Sequence, residues 1–126
     1  MKKGFTLVEL LAVIVILGVI AAITIPKIQD ALYESQDNAY NLIVAQLETR
    51  ANDYVIDKKL DVNITSTTPL DIYLSTLISA GYIKTTDLED PRDESKSIDP
   101  ATSYVHFTLE NGNLNYESHF SSIVNP

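Results

Sequence analysis

The feature that most limits this chain is a run of 21 residues, Phe5 to Ile25, with one charge, Glu9, and two threonines, Thr6 and Thr24. Leu10 to Ile23 is unbroken apolar sequence rich in Leu, Ile and Val. As a helix, such a run rises about 31 Å, the thickness of a bilayer's hydrocarbon core. A buried helix of a soluble protein is rarely apolar on every side for so long. Lys2 and Lys3 precede the run, so the positive-inside rule puts the N-terminus in the cytoplasm and the residues after Pro26 outside.

A cleaved secretory signal and a plain membrane anchor both fit the basic start, and Val19-Ile20-Ala21 could serve as a weak cleavage site. Neither has a use for Glu9. A carboxylate inside a membrane segment costs about 2.5–3.5 kcal/mol and marks a functional candidate. The charge asks for a partner.

Gly4-Phe5-Thr6-Leu7-Val8-Glu9, behind a short basic leader and ahead of an apolar helix containing Pro26, resembles the class III signal of type IV pilins and their relatives. The resemblance covers roughly the first thirty residues. It implies that a prepilin peptidase removes residues 1–4, cutting between Gly4 and Phe5, and methylates the new amine of Phe5. It further implies that residues 5–25 serve first as a transmembrane helix and then as filament core. Glu9 would meet the Phe5 amine of a neighbouring subunit. Neutralising both charges in an apolar interior would fix axial register, as a buried polar residue does in a coiled coil. Gly18 and Pro26 are the segment's weak points: glycine permits close helix approach, and proline removes a backbone hydrogen bond. The resemblance implies that the stretch between them partly unwinds on entry into a filament.

Residues 26–126 are expected to form an extracellular head. Ile28, Leu32, Ala39, Leu42, Ile43, Leu47, Ala51, Tyr54 and Val55 recur at three- and four-residue steps, extending one helix to about residue 58. A short helix is expected over about 69–80, with Thr68 as cap, Pro69 at the first helical position, Leu70, Leu74, Leu77 and Ile78 as apolar face, and Gly81 at its end. Val105, Phe107 and Leu109 alternate with polar residues, Asn111-Gly112 suits a type I′ turn, and Leu114, Tyr116 and Phe120 follow, so a hairpin is expected over about 104–120. Its register sets His106 opposite Glu117 and His119 opposite Tyr104, away from the apolar face. An isolated hairpin is marginal, so a third strand is expected, with the acidic region 85–102 as its candidate source. The fold class is therefore α+β, type IV pilin-like.

The acidic region also makes Asp90, Asp93 and Asp99 candidate calcium ligands, as in the calcium loop of some related pseudopilins. The spacing matches no helix-loop-helix calcium site, and a solvated acidic loop competes with that reading. Otherwise no cofactor is expected. With 17 acidic residues, and seven basic ones once Lys2 and Lys3 are gone, direct nucleic-acid binding is not expected. No catalytic motif is present, so an enzyme is not expected.

The function implied is a structural subunit of a type IV pilus or pilus-like filament. Its partners would be other copies in a helical homo-oligomer, the prepilin peptidase, the membrane assembly machinery and, before assembly, the lipid bilayer. Its final location would be the cell surface. Competing placements are a pseudopilin of a secretion or DNA-uptake system, a minor tip component, and a secreted binding domain with an ordinary signal. The chain has no cysteine. That departs from the disulfide-closed loop of many Gram-negative pilins and points to a Gram-positive source or a pseudopilin.

Overall fold

A computed structural model describes Gly4 and residues Thr6 to Asn125. The elements are α1 (Leu7–Asp57), β1 (Leu70–Tyr73), α2 (Leu74–Ala80), β2 (Lys96–Ile98), β3 (Tyr104–Glu110), β4 (Asn113–His119) and β5 (Ser122–Val124), with single 3-10 turns at Leu60–Asn63 and Thr85–Leu88. The fold is α+β: a long N-terminal helix, a short helix and small antiparallel sheets. The chain divides into two compact units between Ser35 and Gln36, and α1 contributes to both.

In the first unit α1 is apolar and bare. It contains the one helix stretch long and apolar enough to cross a membrane among the described residues. The helix continues through Pro26, whose missing N–H leaves the Ala22 carbonyl without its usual partner.

In the second unit α1 buries Leu47, Ala51 and Val55, four residues apart and so on one stripe. They join Ile64, Ile72, Leu74, Leu77, Ile83, Leu88, Ile98, Val105 and Phe107 in a single core. The apolar stripe expected from the sequence is therefore only partly used here. Ile43, Tyr40 and Tyr54 pack at the core's margin, while Ile28, Leu32 and Leu42 remain exposed. The helix ends at Asp57, and Lys59, with a left-handed φ of 56°, turns the chain into the 3-10 turn. Tyr82 folds back to the same end: its hydroxyl donates to Asp57 at 3.0 Å and its ring meets Tyr54 edge-on at 5.3 Å.

The short helix starts later than the sequence pattern suggests. Leu70–Tyr73 is a strand, and α2 begins at Leu74 with Tyr73 at its N-cap, so Thr68 and Pro69 cap nothing. Leu70, Leu74 and Leu77 satisfy a helical period, but Asp71 and Tyr73 out with Ile72 in satisfy a strand period equally. Pairing with β3 decides between them, because it sets all four residues in register and bonds alternate ones to the neighbouring strand. Gly81 ends α2 with φ 84°, and the Tyr82 N–H returns to the Leu77 carbonyl at 3.0 Å.

That strand is the hairpin's third. The sheet order is β1-β3-β4, all antiparallel. The acidic region instead supplies β2, which pairs with β5 in a separate two-stranded sheet. The β3–β4 turn is Asn111-Gly112, with φ of 51° and 79°, as a type I′ turn requires. Leu109 pairs with Leu114, Phe107 with Tyr116, His106 with Glu117, and Tyr104 with His119.

Candidate assembly segment and head surface

The start of α1 is built by a reciprocal pair. The Glu9 N–H donates to the Thr6 hydroxyl at 3.2 Å, and the Thr6 N–H donates to the Glu9 carboxylate at 3.3 Å. This capping box satisfies two donors that a helix N-terminus otherwise leaves open, and an anion there also complements the helix dipole. Glu9 thus has a partner within its own chain, a use that the T-x-x-E spacing signals. Gly4 is exposed with open space around it. Phe5, Lys2 and Lys3 lie outside the described residues, so the expected junction is described on its glycine side alone.

From Leu7 to Ile25 every large apolar side chain stays more than half exposed. Burying such a side chain is worth about 1.5–3 kcal/mol, and here that gain is unrealised. A Cβ added at position 18 would meet nothing within 4 Å, so Gly18 opens a flat place on the helix that no described residue fills. Among the described residues nothing covers this apolar surface.

The acidic region is organised by a cation. Asp90 is 5% exposed. Its carboxylate accepts from Arg92 three times: Nε at 3.0 Å, Nη2 at 3.0 Å and the backbone N–H at 2.9 Å. The same guanidinium lies 3.6 Å over the ring of Tyr40 on α1, which clamps the loop to the helix. The hydrogen bonds from Arg92 hold the Asp90 carboxyl below its usual range against the opposing effect of burial, and raise Arg92 in turn.

Asp93 accepts from the Ser95 hydroxyl at 2.6 Å and its N–H at 2.9 Å, and these bonds lower its pKa. Asp99 accepts from the Ala101 N–H at 3.0 Å and the Thr102 hydroxyl at 2.8 Å. Each of the three calcium candidates is thus engaged within its own turn. Among the described residues no three His, Asp or Glu side chains stand together to hold a metal ion. Arg92 supplies the positive charge beside Asp90, while Asp93 and Asp99 are bonded to neutral donors of their own turns.

The sheet carries two cross-strand rows on the face opposite Val105 and Phe107. Tyr73, Tyr104 and His119 form one, with ring centroids 5.3 and 5.1 Å apart. Asp71, His106 and Glu117 form the other, with the His106 ring nitrogen bonded to Asp71. Tyr104 stacks on His119 and Tyr73 is tilted against Tyr104, cross-strand contacts that reinforce the sheet. Sequence reasoning missed both the Arg92–Tyr40 clamp and the Asp71–His106 pair, since each joins segments distant in the chain.

Residues 1–25 match the family described as the prokaryotic N-terminal methylation motif. The chain is 36% identical over 88 residues to a fimbrial protein of Pseudomonas aeruginosa, covering 70% of this chain and 53% of the relative. It is 39% identical over 59 residues to the type IV major fimbrial protein FimA of Dichelobacter nodosus, covering 47% and 38%. It is 45% identical over 58 residues to fimbrial protein EcpC of Eikenella corrodens, covering 45% and 37%. The chain spans about half the length of the first of these relatives, and less of the others. No solved structure matches it significantly. These relatives come from Gram-negative bacteria, so the lack of cysteine does not mark a Gram-positive source. Together the motif and the fimbrial relatives support kinship with the type IV pilins.

Proposed function

We propose that this chain is the structural subunit of a type IV pilus or pilus-like filament. One observation carries the reading: a methylation-motif start, Gly4-Phe5-Thr6-Leu7-Val8-Glu9, leads into a helix whose apolar side chains are exposed along its whole first unit. The named relatives, all fimbrial proteins, support it. The precursor crosses the membrane through residues 5–25 with its N-terminus in the cytoplasm and its head, residues 26–126, outside. A prepilin peptidase cuts between Gly4 and Phe5 and methylates Phe5. Assembly machinery then passes the subunit from the bilayer into a filament on the cell surface.

The physical logic is an exchange of solvents. In the bilayer, lipid covers the apolar helix; in the filament, the helices of other copies cover it, so the transfer needs little net hydrophobic energy. Direction and register must come from polar groups. Glu9, capped onto Thr6 within the lone subunit, turns to the Phe5 amine of a neighbour, where opposite charges in a low dielectric attract strongly. Gly18 and Pro26 allow the helix between them to yield as neighbours pack. The chain's part is structural, and the force for assembly comes from other proteins.

Two measurements test this. Mass spectrometry of the N-terminus should find methylated Phe5; a start after Ala21 would replace the reading with an ordinary secreted domain. A Glu9→Ala subunit should insert and be processed but give sharply reduced filament yield. Normal yield would remove the register role from Glu9.

A further inference from the structure

The three-stranded sheet ends differently on its two sides. On one side β1 has four residues, follows Pro69 and runs straight into α2. A short strand behind a proline is a blunted edge. On the other side β4 has seven residues, all paired with β3. Among the described residues no other backbone hydrogen bond reaches Asn113–His119. In a two-residue hairpin the pair nearest the turn, Glu110 and Asn113, exchanges both its bonds, so Leu114, Tyr116 and Ser118 send N–H and C=O outward. Edges of this length are ordinarily guarded by lysine, proline or a bulge, and β4 has no lysine or proline and an unbroken ladder.

We propose that β4 is an interaction edge whose occupant is the β4 of a second copy, antiparallel about a two-fold axis at Tyr116. The sequence of the strand selects this occupant and this register. Centred on Tyr116, all seven residues engage and roughly six outward backbone bonds form. Asn115 then faces the partner's Glu117, Leu114 faces the partner's Ser118, and Asn113 faces the partner's His119. No like charges meet. Centring the pair on Glu117 would oppose two carboxylates and leave the turn end unpaired. Tyr116, 42% exposed in the single chain, would be covered by its own symmetry mate.

A two-fold contact closes on itself and cannot lengthen a helical filament. It joins heads in pairs. On the filament reading of the preceding subsection, it ties neighbouring filaments side by side; the strand pairing itself does not depend on that reading.

The test uses the full chain in detergent micelles, where no filament is needed, so failure of the filament reading leaves the result unaffected. The chain has no cysteine, which makes single-cysteine variants clean reporters. Residues facing each other across the axis stand about 5.5 Å apart at Cα, within disulfide reach. Tyr116→Cys is expected to form a disulfide-linked dimer on mild oxidation, and Asp71→Cys, at the blunted edge, to stay monomeric. Asn115→Glu on the Tyr116→Cys background opposes carboxylates twice and should lower the dimer yield about tenfold. Adding Glu117→Lys to that chain turns both repulsions into attractions and should restore it. Equal cross-linking of the Tyr116→Cys and Asp71→Cys variants, or indifference to Asn115→Glu, would overturn the proposal. So would a Tyr116→Cys chain that links only to a different protein when oxidised in the cell.

Discussion

Leu17 and Leu47 are the same residue type on the same helix, yet Leu17 is 61% exposed and Leu47 is 2% exposed. Around Leu17 the described residues offer no cover; the core that Leu47 joins draws on α2, β1, β2 and β3. A helix does not bury its own side chains, and its apolar surface is worth energy only when something covers it. In the second unit the cover is intramolecular, so that unit can be stable alone. In the first unit no described residue supplies cover, and on the filament reading proposed above the cover is a bilayer and then other subunits. The two units should therefore answer the same kind of mutation in opposite ways.

The largest effect is expected in the head. Phe107 is fully buried between the core and Tyr116, whose ring lies 5.9 Å away. Phe107→Ala should cost about 3–5 kcal/mol through lost burial and the cavity left behind. Thermal unfolding of the full chain in detergent, followed by near-UV circular dichroism, would measure it. A loss below about 1 kcal/mol would mean that the core does not carry the head.

A smaller effect is expected where the head is held by charge. Arg92→Ala strands the buried Asp90 carboxylate and removes the contact with Tyr40, at a cost of about 1–3 kcal/mol near neutral pH. The pH dependence has a definite sign. The Arg92 hydrogen bonds depress the folded-state pKa of Asp90; the Ser95 bonds depress that of Asp93 in parent and variant alike, so the difference between them follows Asp90. Their stabilisation is present above the unfolded carboxylate value near 4 and is lost as pH falls through the lower folded values. The gap between variant and parent should thus be full at pH 7 and shrink below about pH 4. A gap that widened in acid would contradict the assignment.

The same contrast explains what could be read from the chain. The apolar run and the Asn111-Gly112 hairpin were legible because each is specified locally, one by length and composition, the other by a two-residue period and turn chemistry. The strand Leu70–Tyr73 was not, because its leucines fit two periods and Thr68-Pro69 imitates a helix start; only its partner β3, thirty-odd residues on, breaks the tie. The clamp was hidden for a related reason. Arg92 and Asp90 are neighbours, but Tyr40 lies on a helix half the chain away. Thr6 and Glu9 do display a capping pattern, which the processing motif they belong to had already absorbed.

The smallest expected effect is the sharpest test of the comparison. Leu17→Ala removes as many carbons as a core leucine mutation, where the usual cost is about 2–5 kcal/mol. In the lone subunit it should change head stability by less than about 0.5 kcal/mol, because the side chain is 61% exposed and no described residue covers it. The same unfolding measurement in detergent would detect a larger change, and finding one would mean that the first unit is packed in cis after all. If the head is unmoved while filament yield falls, the missing partner of Leu17 is another subunit. If neither moves, one leucine is dispensable because lipid or a loosely packed core covers that stretch equally well, and Gly18 next to it becomes the place to look for close helix contact.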